Sequence, residues 1–112
     1  MDRNVKKFLF DISTAISNIE DYVGSSMCFA DYEKNRQLQQ AVERNLEIIG
    51  EATKRILDID SNVNISNARR IVNARNRIIH GYDSIDNTEI WSIIIKNLPI
   101  LKEETGKLMN EY

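Results

Sequence analysis

The chain predicts an all-α protein: an up-down four-helix bundle whose last helix is kinked at a proline. Three observations lead there. Only 4 glycines and 1 proline stand in 112 residues, so turns are few and elements are long. Apolar residues recur at steps of three and four over long stretches, the period of a helix buried on one face. No alternating stretch of useful length reads as a strand.

From Arg3 to Val23, the residues Val5, Phe8, Leu9, Ile12, Ala15, Ile16, Ile19 and Val23 form one stripe, and Gly24, Ser25 and Ser26 end it. A second stripe, from about Ala30 to Ile59, runs through Leu38, Ala41, Val42, Asn45, Ile49, Ala52, Ile56 and Ile59. Gly50 stands inside it at a cost of ~1 kcal/mol relative to alanine, which points to a neighbouring helix in close approach. Residues 60–64 are the clearest loop. Ser66 is placed to cap a third helix, Asn67 to about His80, with Gly81 just past its end. Asp86 or Asn87 caps a last helix. There Trp91, Ile94, Leu98, Leu101, Thr105, Leu108 and Tyr112 alternate steps of three and four. The phase holds across Pro99, which deprives the Ile95 carbonyl of its helical donor, so one kinked helix is expected. The same seam is also a candidate partner-facing surface.

The length fits one domain over residues 1–112. Hydrophobic residues at 42% and charged residues at 29% exclude disorder and leave enough for a core. A single cysteine, Cys28, excludes an internal disulfide and multi-cysteine zinc sites; it is expected as a small buried apolar residue. A single histidine, His80, excludes His-rich metal motifs, and no cofactor or metal is expected. The charged N-terminus and the interruption at Asp11 do not read as a signal peptide. The longest aliphatic run, Ile93 to Ile95, is far too short for a membrane span. A reducing cytoplasm is the natural setting.

Net charge is -2, which argues against a general affinity for nucleic acid. Yet residues 61–82 hold Arg69, Arg70, Arg75 and Arg77 and no acid, so +4 surrounds the only histidine while the remainder carries -6. In that segment Asn76 and His80 share a helix face, whereas Arg75 and His80 lie about 140° apart around the axis. Two copies of the helix packed across a two-fold axis would bring them together.

An arginine and a histidine suit RNA cleavage without a metal. The 2′-hydroxyl must lose a proton before it attacks the adjacent phosphorus, and histidine exchanges protons near neutrality. Arginine holds phosphate and stabilises the charge that develops on it. Asparagine orients the imidazole or contacts phosphate. Taken alone, these residues fit a plainer reading better: a histidine favoured by the dipole at a helix C-terminus, with arginines on a solvated face.

The arrangement Arg75-x4-His80-x-Tyr82, with Asn76 after the arginine, resembles the R-x4-H-x-Y motif of HEPN domains, specifically the HepT-like toxins. A second block, A-V-E-R-N-L-E-I-I-G-E-A from Ala41 to Ala52, resembles that family's long-helix signature, and the blocks stand in the family's order. The resemblance implies an all-α homodimer with its two motif helices facing each other. It implies metal-independent endoribonuclease activity on tRNA or mRNA. It also implies a nucleotidyltransferase antitoxin that transfers AMP to the motif tyrosine. Carried over residue by residue, Arg75, Asn76 and His80 are catalytic and Tyr82 is modified. RNA phosphates would then rest on a strip that includes Arg69, Arg70 and Arg77. The alternative is a non-catalytic subunit that binds nucleotide or RNA beside a nucleotidyltransferase. The chain departs from the family where members often carry tryptophan before the arginine; here stand Asn67, Ala68, Ile71 and Val72. Within the I-I-G-E-A block, Glu47 and Glu51 repel each other, and Arg44 or Arg55 is the expected partner.

Overall fold

The computed structural model describes residues 3–25, 27–80 and 86–111, with the backbone alone for Arg3 and His80. Among the described residues every regular element is helical. No helix among them is long and apolar enough to cross a membrane.

Helix α1, Arg3–Val23, buries Val5, Leu9, Ile12, Ala15, Ile16, Ile19 and Val23, the predicted stripe, with Phe8 half-buried at its edge. Gly24 ends it in the left-handed region (φ 68°), where its N–H donates to the Glu20 carbonyl at 2.8 Å.

The second predicted helix is two. Helix α2, Phe29–Lys34, is followed by Asn35 in extended conformation and then by α3, Arg36–Ile59. Asn35 breaks the run because its side chain accepts from the Leu38 N–H at 3.0 Å and caps α3. Gln39 turns back and donates to the carbonyls of Tyr32 and Glu33, satisfying the end of α2. The short helix places Tyr32 in the core, where its ring and that of Phe29 pack on Trp91 at centroid distances of 5.4 and 6.2 Å. Cys28, just before α2, is exposed and donates to Asp31, so it is not the buried residue expected.

Helix α3 buries Leu38, Val42, Asn45, Leu46, Ile49, Ala52, Thr53 and Ile56. Ile59, expected in the stripe, is exposed at the helix end. Asn45 is a buried amide whose needs are met: it donates to the Ala41 carbonyl and accepts from Asn18 of α1.

Helix α4 spans Ala68–His80 and buries Ile71 and Ala74. Its predicted cap at Ser66 does other work. The Ser66 N–H and hydroxyl both donate to the carboxylate of Glu104, the hydroxyl at 2.6 Å, and Asn67 turns the chain with φ 59°. Gly81 lies outside the described residues.

Asp86 caps the last run, accepting from the Thr88 N–H at 2.8 Å. That run is α5, Asn87–Ser92, then a π-helical turn over Ile93–Asn97, then α6, Leu98–Glu111. The wide turn is how the helix carries Pro99: the Leu98 N–H reaches back to the Ile93 carbonyl. Ile94, Leu98, Leu101, Thr105 and Leu108 are buried, so the seam belongs to this chain's own core rather than to a partner. Tyr112 lies outside the described residues.

Helix α3 runs through the middle, packed against α1 on one side and α4 on the other, and α1 in turn meets α6. The molecule is broad and thin, 42 × 31 × 18 Å. Helix α4 therefore has one flank on α3, and two of its arginines reach α5.

Candidate active site

At 100° per residue, α4 sends its polar residues in three directions. Ile71 and Ala74 define the buried side. Arg75 leaves on the α3 flank, Arg70 and Arg77 on the α5 flank, and Asn76 on the outer face, with His80 four residues on at the helix end.

On the α3 flank, Gly50 decides how close α4 comes. A Cβ added there would collide with Cβ of Arg75 and lie 3.1 Å from its Cγ and Cδ. The close approach inferred from sequence is thus to the motif arginine itself. Glycine one residue before Glu51 lets the guanidinium reach the carboxylate: Nη2 of Arg75 lies 2.7 Å from Oε2 of Glu51. The other oxygen, Oε1, accepts from Nε of Arg55 at 2.9 Å. One carboxylate thereby bridges two arginines from two helices. The Arg55 hydrogen bond, aided by the charges of Arg75 and Lys54 and opposed by burial, holds the Glu51 carboxyl below its usual range.

Arg75 also donates from Nη1 to Oδ1 of Asn76 at 3.1 Å. Its Nε is buried without a hydrogen-bond partner among the described residues. The arginine and amide singled out in the sequence are therefore in contact. Arg75 borders a cleft of about 540 Å³ between α1, α3 and α4, whose rim mixes Lys7, Arg44, Arg55 and Arg75 with Asp11, Glu47 and Glu51. The basic segment read from sequence is balanced in space by acids from elsewhere.

On the other flank, Arg77 forms an ion pair with Glu89 of α5 at 2.6 Å, and Arg70 donates to the Ser92 hydroxyl at 3.2 Å. Both arginines are thus engaged between helices. Arg69 is exposed on the outer face. His80 closes α4, but its side chain, and all of Tyr82, lie outside the described residues.

Helical spacing foretells Arg55 as a partner of Glu51 but not Arg75, because the second pair joins two different helices. The only sequence signal was the glycine beside the glutamate.

The chain matches a family model described as ribonuclease HepT-like over residues 12–108. Over 109 residues it is 35% identical to the "Probable ribonuclease HepT" of Thermococcus cleftensis, covering 96% of this chain and 98% of that protein. A "Putative RNase" of Methanocaldococcus jannaschii is 33% identical over 104 residues, 91% of this chain and 94% of the relative. The same organism's "Gamma-glutamylcyclotransferase and putative RNase" is 33% identical over 112 residues; the match takes in 99% of this chain and 50% of that protein. No solved structure matches.

Proposed function

The chain belongs to the HepT-like ribonuclease family, and from that premise we propose that it is a metal-independent endoribonuclease. The observation that carries the reading is the contact of Arg75 with Asn76 at a charged cleft, on the helix that ends in His80.

Each residue has a role. His80 takes the proton from the 2′-hydroxyl or delivers one to the departing 5′-oxygen. The 2′-oxygen attacks phosphorus, the bond to the 5′-oxygen breaks, and a 2′,3′-cyclic phosphate and a 5′-hydroxyl result. Arg75 stabilises the additional negative charge on the phosphoryl oxygens. Asn76 steadies Arg75 through its carbonyl oxygen, which leaves its Nδ2 donor for phosphate or imidazole. Because Arg75 and His80 diverge by about 140° on one helix, a two-fold homodimer supplies the pair.

The finer reading is a cytoplasmic toxin that cleaves tRNA or mRNA, restrained by a nucleotidyltransferase antitoxin. Transfer of AMP to Tyr82 adds a bulky anion two residues from His80, which excludes RNA phosphate by charge and size. Exposed Arg69 is the member of the basic strip open to phosphate.

The test is cleavage of bulk tRNA in EDTA by wild type and His80→Ala, with the fragment ends examined. Cyclic-phosphate ends made only by wild type support the reading. A fully active His80→Ala protein overturns it. Tight nucleotide binding without cleavage, by protein whose intact mass shows no added AMP, replaces it with the binding-subunit alternative.

A further inference from the structure

We propose that Glu51 is a positioning residue for the ribonuclease reaction: held by Arg55, it fixes the guanidinium of Arg75 in the orientation that meets phosphate. The inference rests on the cleavage reading above.

Arginine is a long, flexible side chain, and catalysis needs its fork in one place. Two contacts fix the plane of this one. Glu51 lies against Nη2 at 2.7 Å, and Asn76 accepts from Nη1 at 3.1 Å. Glu51 is itself immobilised, because its second oxygen is taken by Arg55 at 2.9 Å. A fork pinned at both Nη atoms still has an N–H on each for an incoming phosphate.

The pair has little to do with stability. Glu51 and Arg75 keep 37% and 21% of their side-chain surface in solvent. Ion pairs so exposed contribute ~0–1 kcal/mol. The α3–α4 contact already has the close approach at Gly50 and the packing of the two helices along their length to hold it. An arrangement that places a bridged carboxylate on the motif arginine, at small gain in stability, is explained by orientation. The charge balance agrees. The two arginines and one glutamate keep a net positive charge at the cleft, so phosphate is still attracted.

The experiment compares wild type, Glu51→Gln, Arg75→Ala, the double variant and Glu103→Gln as a surface control, all in EDTA. Glutamine keeps the shape and removes the charge. The expected result is a kcat for Glu51→Gln reduced by roughly 100-fold, with KM little changed and Tm lowered by no more than an exposed ion pair is worth. Added to Arg75→Ala, the same substitution costs nothing further. Glu103→Gln behaves as wild type. A second readout needs no catalysis: in nitrogen-resolved NMR, the Arg75 guanidinium shows separate Nη signals in wild type and merged ones in Glu51→Gln.

Normal kcat in Glu51→Gln, beside an active wild type, overturns the positioning role and leaves the ribonuclease reading intact. An inactive, unmodified wild type overturns the ribonuclease reading instead, and the NMR comparison then decides whether Glu51 orders Arg75. An equal loss from Glu51→Gln with and without Arg75 also overturns the role, because the effect does not pass through the arginine.

Discussion

Arg75 crosses α3 at Gly50 with no room for a methyl group between them. In an isolated helix, alanine at residue 50 would gain up to ~1 kcal/mol. Here the contact reverses the sign. Gly50→Ala pushes α4 outward and lowers stability by about 1–3 kcal/mol, the usual cost of overpacking. Denaturant unfolding measures it, and a stabilised Gly50→Ala protein would contradict the close approach. Because the displaced residue is the motif arginine, cleavage falls as well.

Arg75→Ala and His80→Ala each reduce cleavage in EDTA by ~100-fold or more, the usual range for a lost proton carrier or charge stabiliser. Circular dichroism and Tm stay close to wild type, since Arg55 remains as a partner for Glu51.

Two carboxylates give opposite dependences on pH. Glu51 is held below its ordinary value, first by the Arg55 hydrogen bond, so its contribution is present above the unfolded pKa and is lost as pH falls through the folded one. Glu43 is raised, first by burial and then by the charge of Glu47. Its ionised form opposes folding at neutral pH, and the cost disappears as acidification protonates it. Glu43→Gln therefore raises Tm at pH 7, and the gain shrinks as pH falls through the raised pKa. Thermal melts across a pH series read both effects.

Arg77 and Glu89 tie α4 to α5, but about a third of each side chain is exposed. Glu89→Gln costs less than ~1 kcal/mol in a denaturant titration. Arg77→Ala costs more, because about two thirds of its side chain is buried and it has further interactions. Equal losses would reduce Arg77 to a simple surface ion pair.

The helices were legible in the sequence because burial imposes a period, and α1 and the seam from Ile94 to Leu108 follow it closely. The break at Asn35 was hidden because no glycine or proline marks it. No apolar residue stands between Tyr32 and Leu38 to show a break in period, and the cap is made by one asparagine side chain. At the site, Arg75 and Asn76 were legible as a motif. Glu51, Glu89 and Glu104 were not legible as their helix's partners, since ion pairs between distant segments leave no spacing to read. The run of four arginines looked like an open basic strip only while its neighbours in space were unknown.

The clasp between Ser66 and Glu104 spans 38 residues of chain and fastens the start of α4 to the last helix. During synthesis it cannot close until residue 104 has been made. At ~5–20 residues per second, that is roughly 2–8 s after Ser66 is joined. The residues of α1, α3 and α4 have all been joined before then, but the start of α4 waits for this contact. A ribosome that stalls between residues 82 and 104 leaves a chain with the motif already written and the start of its helix without this clasp. Assembly order thus delays this clasp until translation has passed residue 104.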